Sequence, residues 1–433
     1  MPAFFKSFCM KKILCFGLFI SIIFSVNAQK FDDYFIDKSL RMDVYHCGND
    51  KKADYTFNKF IVEKYWGGTK TKLIDQFNYG TNMLKVFDAK TNVLIYSRGY
   101  CTLFQEWQTT DEAKEINRCY EESLSLPLPK SSARIEIHTR NSRGEFEKTF
   151  STLYAPNDIF VSKEQKHIFD VYDAMVNGAP ASKVDIVIIP EGYTTAEMDK
   201  FKADCDKFVE ILKTFEPFKS NIGDFNVRGV LAPSKDSGVD VPSNNDWKNT
   251  IVDCHFDTFN SDRYCMTESY YAVKDVAANA PYDQIYILVN STIYGGGGIY
   301  NYYSVSSSGN MSSAKVIIHE FGHAFAGLAD EYFDSQVSYS DFYPFDIEPW
   351  EYNITTLVNF DSKWKHQLDS KIPIPTPLDK KHIDKLGVFE GAGYSAKGIY
   401  RPSYDCLMHT FKGDVFCGAC QHAIVVMIEN HRE

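Results

Sequence analysis

His319, Glu320 and His323 stand in the run His-Glu-Phe-Gly-His, two imidazoles four residues apart with a carboxylate beside the first. On a helix, residues four apart lie one turn above each other on one face. Both imidazoles can therefore reach one metal ion while Glu320 stays next to them. Zinc is the expected metal and hydrolysis the expected chemistry: a metal-bound water gives its proton to the glutamate and attacks a carbonyl that the metal polarises. Ile317, Phe321, Ala324, Phe325 and Leu328 form an apolar stripe that would anchor such a helix, leaving the histidines on an adjacent edge. Gly322 costs about 1 kcal/mol against alanine inside a helix, which points to close approach by another backbone.

A catalytic zinc keeps three protein ligands and one open position. Gly327 ends the helix, and the turn after it brings Asp330 back as the expected third ligand, with Glu331 as the rival one residue on. The one that does not bind would orient a ligand from behind. Tyr294, Tyr332 and Tyr404 are candidate donors to the oxyanion of a tetrahedral intermediate. Tyr294 is followed by four glycines but by neither a Walker lysine nor a dinucleotide pattern. That run is expected to form the mobile rim of a cleft, where an extended peptide adds to a strand edge. Calcium at Asp236 and Asp240 is the lesser alternative to a solvated loop.

These residues need a frame. From Phe31 to about Tyr154, short runs such as SLRMDVYHC, TNMLKVFDA, NVLIYSRGY and ARIEIHTRN alternate apolar with polar residues between turn signals. They predict an N-terminal antiparallel β-sandwich over residues 29–158, interrupted by one helix near Thr110 to Leu124. Beyond it the texture changes. KVDIVIIPEGYT, FNVRGVLAP and DQIYILVN read as buried strands, and Thr195 to Phe215 carries apolar residues at helical spacing. Strands alternating with helices predict an α/β layer over residues 159–433, so the chain is an α+β protein of two domains.

Composition narrows the function classes. The formal net charge is −11, with 57 acidic against 46 basic residues. No basic surface is visible for a nucleic acid, and none is expected as a partner. Lys6, Lys11 and Lys12 precede the apolar run ILCFGLFISIIFSV and the small-residue site at Val26-Asn27-Ala28. Residues 1–28 therefore read as a signal peptide, and the mature chain is expected to be exported to the periplasm, the cell surface or the medium, with no membrane span. Nine cysteines remain, an odd number, so at least one thiol stays free or pairs between chains. Cys254 and Cys265 are close enough for a local bridge, as are Cys406, Cys417 and Cys420. A redox or zinc pair at Cys417-Gly-Ala-Cys420 is the competing reading.

HEFGHAFAGLADEY, with YGGGGIYNYY upstream and RPSYDCLMH downstream, resembles the bacterial IgA-type metallopeptidases among the metzincin-like zinc peptidases. The likeness extends over nearly the whole mature chain: VDIVIIPEGYT, FNVRGVLAPSKDSGVDVP and FCGAC match the catalytic-domain pattern, and LRMDVYH, SRGYCTLFQEWQTTDEA and LPLPK match the N-terminal domain. The resemblance implies that His319 and His323 are ligands, Glu320 the general base, and Met408 the methionine of a turn beneath the metal. It also implies a metzincin-like catalytic domain. Gly327 and Asp330 come four and seven residues after His323, one more than that pattern has, and the third ligand is acidic rather than histidine.

The expected function is a secreted zinc endopeptidase. Immunoglobulin A is the substrate that the family's name implies; mucins or other host or dietary glycoproteins are the alternative. A reading of another class is a secreted glycan- or protein-binding module with an idle metal site.

Overall fold

The computed structural model describes residues 30–333 and 343–432, and the expected signal peptide lies outside them. After a short helix α1 (Phe31–Tyr34), seven strands form the first half of the chain. They are β1 (Phe35–Gly48), β2 (Ala53–Glu63), β3 (Asn82–Asp88), β4 (Leu94–Tyr100), β5 (Arg118–Pro129), β6 (Ala133–Arg140) and β7 (Phe146–Tyr154). Two antiparallel sheets result, ordered β2-β1-β5 and β4-β3-β6-β7. Alternation explains their packing: Leu40, Met42 and Val44 on β1 share a core with Leu84 and Val86 on β3 and Ile135 and Ile137 on β6.

The helix expected near Thr110 to Leu124 is replaced by α2 (Leu103–Trp107), α3 (Glu112–Glu115) and the strand β5. Residues 118–129 pair with β1 along its length, and a disulfide joins the facing residues Cys47 and Cys119. Sheet pairing outweighs local helical preference there.

The second half begins with β8 (Val171–Met175) and β9 (Val184–Glu191), followed by α4 (Met198–Leu212), β10 (Phe225–Val230), α5 (Tyr270–Ala277), β11 (Gln284–Val289), β12 (Gly296–Ile299) and β13 (Tyr303–Ser307). The six strands form one sheet ordered β12-β13-β11-β9-β10-β8, parallel except at its two edges. Strand β9 is buried from end to end because both faces are covered. Val184, Ile186 and Ile188 point to one side, toward α4, α6 (Ser313–Ala326) and α7 (Gly418–His431). Val187 and Ile189 point to the other, where Val273 and Val276 of α5 meet Leu103, Phe104 and Trp107 of α2. The N-terminal half thus supplies part of the second half's core. A hairpin of β14 (Phe389–Ala392) and β15 (Ser395–Arg401) precedes α7.

Charge completes the joint between the halves. Arg41, on the face of β1 opposite the sheet core, reaches Asp43 at 2.6 Å and Asp275 of α5 at 2.5 Å. Among the described residues no helix is long and apolar enough to cross a membrane.

The glycine run expected as a mobile rim is the edge strand β12, paired antiparallel to β13. Glycine is required by what lies next to it. A Cβ on Gly298 would sit 2.2 Å from the carbonyl oxygen of Glu320, so only a bare backbone lies this close to α6.

Candidate metal centre

Helix α6 carries His319, Glu320 and His323, anchored by Ile317, Phe321 and Phe325 in the core. Gly327 caps it in the left-handed region at φ 60°, and Leu328 N donates to Gly322 O at 3.2 Å, which reverses the chain. A side chain at 327 would also meet Trp350, 2.7 Å away. The reversal returns Asp330 to the two histidines. Gly322 is crowded by side chains rather than by a backbone: its Cβ would lie 3.2 Å from the sulfur of Met408 and 3.4 Å from Leu328.

The turn that contains Met408 supports the centre from below. His319 Nδ1 donates to Leu407 O at 2.9 Å, and His323 Nδ1 donates to Leu328 O at 2.5 Å. These bonds put the ring proton on Nδ1 and leave a lone pair on each Nε2. The two Nε2 atoms are 3.1 Å apart, and Asp330 Oδ1 lies 3.2 Å from one and 3.3 Å from the other. Three potential ligand atoms therefore converge, two imidazole Nε2 atoms and one carboxylate oxygen. Asp330 Oδ1 is buried and has no hydrogen-bond donor among the described residues, while Oδ2 accepts from Tyr394.

A tetrahedral ion with nitrogen and oxygen donors at about 2.0–2.2 Å holds those donors about 3.3–3.6 Å apart, close to the spacing found. The electrostatics agree that positive charge belongs here. Burial pulls His323 down, yet the Asp330 carboxylate outweighs it and raises the imidazole to about 9. Burial pushes Asp330 up, yet the two histidines hold it well below the usual carboxylate range. Burial also raises Glu320, with the histidines opposing.

Asp330 and Glu331 part ways. Glu331 is fully buried on the opposite side, where Oε1 accepts from Asn353 Nδ2 at 3.0 Å, and it does not join the histidines. Met408 is fully buried beside α6, and its carbonyl accepts from Glu331 N at 2.7 Å.

The centre opens onto a cleft of about 2790 Å³. Tyr294 and Tyr332 line it; Tyr404 does not, and its carbonyl accepts from Arg401 and His409. The loop aspartates are committed elsewhere, since Asp236 Oδ2 accepts from Asn249 N at 2.8 Å and Asp240 Oδ1 from Lys248 N at 2.5 Å. That is loop geometry, and it leaves calcium without support. Cys254 and Cys265 are buried free thiols, not the expected bridge.

Sequence reasoning missed Glu106. This residue of α2 faces the same cleft, accepts from Tyr264, and is pushed up to about 7 by burial, with Glu320 and Asp330 adding to the shift and Tyr264 and His323 opposing it. Nothing near it in the chain signals this, because only docking of the two halves puts it there.

A family model described as IgA Peptidase M64 matches residues 173–386 and 379–428. A second, described as Peptidase M64 N-terminus, matches residues 30–151. No curated protein matches the chain.

Proposed function

The chain belongs to the IgA peptidase M64 family and is a metallopeptidase, and from that premise we propose that it is a secreted zinc endopeptidase whose centre is His319, His323 and Asp330. The observation that carries this reading is the convergence of two imidazole Nε2 atoms and one carboxylate oxygen, 3.1–3.3 Å apart, at the floor of an open cleft. Two imidazoles and one carboxylate suit zinc, and the open side leaves room for water and substrate.

Zinc, when bound there, supplies Lewis acidity toward a water and toward the scissile carbonyl. Glu320 takes the proton of the attacking water and hands it to the leaving amine. Tyr294 or Tyr332, on the cleft wall, donates to the oxygen on which charge develops. The peptide lies extended along β12, whose outer edge faces the cleft and, among the described residues, makes an isolated bridge with Tyr264 at Gly296. Met408 and Leu407 hold the floor, and Tyr394 holds Asp330 from behind.

The domain reading follows the same lines: a β-sandwich over 29–158, with the two N-terminal sheets as its layers, and a metzincin-like catalytic domain over 159–433. Export is supported by the leader-like residues 1–28 and by the Cys47–Cys119 disulfide, which suits an oxidising compartment. Immunoglobulin A is the proposed substrate, as the family's description suggests, with mucin-type glycoproteins as the rival within the same chemistry.

The test is elemental analysis of the mature chain together with digestion of a panel containing immunoglobulin A and mucins. Zinc bound and cleavage lost in Glu320→Gln is the expected result. Cleavage that survives in Glu320→Gln and in His323→Ala would overturn the reading.

A further inference from the structure

Behind the cleft lies a second convergence that the peptidase chemistry does not use. Cys406 sits in the turn before Met408, Cys417 caps α7, Cys420 lies in that helix's first turn, and Glu331 follows Asp330. All four are buried, at 1%, 8%, 0% and 0% exposure in that order. One donor atom from each lies within 4.8 Å of all the others. We propose that Cys406, Cys417, Cys420 and Glu331 form a second, closed site for a thiophilic divalent cation of the zinc class, which fixes the floor of the cleft.

Distances separate this from a disulfide. Cys406 Sγ and Cys420 Sγ are 3.8 Å apart. A tetrahedral ion with sulfur donors at about 2.3 Å holds two sulfurs about 3.8 Å apart, whereas a disulfide needs about 2.05 Å. The arithmetic of the cluster points the same way: a disulfide would use two thiols and leave the third beside a carboxylate, while a cation uses every member.

Glu331 supplies the independent observation. Its Oε1 accepts from Asn353 and lies 3.1 Å from Cys420 Sγ, but its Oε2 is buried and finds no hydrogen-bond donor among the described residues. A carboxylate buried among three sulfurs is costly unless a cation sits with it. Arg401, whose field reaches Glu331, spends its terminal N–H groups on the carbonyl oxygens of Glu390, Gly391 and Tyr404.

The site is closed where the catalytic one is open. None of its four members lines the cleft, and four protein ligands with no free position are the mark of a structural zinc. Its ligands tie three pieces of chain that the catalytic floor depends on: the residue after Asp330, the turn bearing Leu407 and Met408, and the start of α7. Glu331 N already donates to Met408 O at 2.7 Å, so an ion at this point would hold the third catalytic ligand in register with the turn beneath the histidines.

The experiment uses the full mature chain, purified without chelator, and its His319→Ala/His323→Ala variant, each reconstituted with zinc or cobalt(II) alone. About two metal equivalents in the parent and about one in the double-histidine variant are expected. Cobalt in that variant should show an intense thiolate-to-metal charge-transfer band, which imidazole and carboxylate ligands cannot produce. Cys417→Ser/Cys420→Ser in the same background should abolish the band. Because that variant risks misfolding, the parent is also denatured and alkylated without reductant. Labelling of all three cysteines only after metal release supports the site. A disulfide between any two of them, or one metal equivalent with no sulfur in its coordination shell, overturns it. A parent that holds sulfur-bound metal but cleaves nothing would leave this site standing and remove the peptidase reading, so the two fail separately.

Discussion

Asp330 and Glu331 are neighbours in the chain and opposites in the structure. Asp330 turns toward two imidazoles at the floor of an open cleft, and Glu331 turns into the core among three thiols. The same chemical group, one residue apart, meets nitrogen donors with an open side in one direction and sulfur donors with none in the other. Openness separates a place where substrate can be activated from a place where only the fold can be held. Tandem acids after a helix-ending glycine can serve both when their side chains leave the backbone on opposite sides, as Asp330 and Glu331 do.

The sharpest way to break this contrast is at the cleft. Glu320→Gln keeps the size of the side chain and every proposed metal ligand but removes the proton acceptor. Turnover should fall by roughly 10²–10⁴-fold with metal content unchanged. Wild-type turnover in this variant would mean that another base, Glu106 for instance, serves the reaction.

Next in size is the paired substitution of the two acids. Asp330→Ala should lose the cleft metal and activity while the melting midpoint stays close to that of the parent without cleft metal. Glu331→Ala should show the reverse emphasis. Its melting midpoint should drop by several degrees, at about 2–4 °C per kcal/mol for a unit of this size. Calorimetry beside metal analysis reads both quantities, and equal losses in the two variants would erase the distinction drawn here.

The chain made these two regions unequally legible. His319, Glu320 and His323 follow the helical period and ride on a visible apolar stripe, so the helix and the shared face could be read directly. Gly327 marked the reversal because a left-handed cap favours glycine. Glu331 and its sulfurs could not be assembled that way, since Cys406 and Cys420 meet Glu331 only through the packing of α7 behind α6. Cys47 and Cys119 are hidden for the same reason: 72 residues separate them, and only the register of β1 on β5 brings them together. Strand β5 is hard to read from sequence because its glutamates and serines interrupt the apolar pattern, and the long partner that makes it a strand lies far away in sequence.

A smaller effect is expected where the edge strand β12 meets α6. Gly298→Ala would bring a methyl group to 2.2 Å from Glu320 O, so strand or helix must shift. Overpacking of this kind costs about 1–3 kcal/mol, read as a lower midpoint in denaturant. Turnover should fall more than stability alone explains, because the displaced carbonyl belongs to Glu320, the proposed general base. A change in stability with turnover intact would place the glycine in the fold and not in the site.

The smallest effect isolates the support behind Asp330. Tyr394 donates its hydroxyl to Oδ2 and thereby leaves Oδ1 for the proposed cation. Tyr394→Phe removes that donor and keeps the ring, so the carboxylate can rotate or share its charge differently. Outer hydrogen bonds to metal ligands are worth about 10–100-fold in affinity. The low end is expected here because the two histidines keep their own bonds to Leu407 O and Leu328 O. Zinc affinity at the cleft should weaken about tenfold, or about 1.4 kcal/mol, while cobalt at the thiol cluster keeps its charge-transfer band. Equal weakening at both sites would mean that Tyr394 acts by loosening the whole 330–331 segment. Weakening at the cleft alone would show that two adjacent acids are held by separate supports, which the division between an open and a closed site requires.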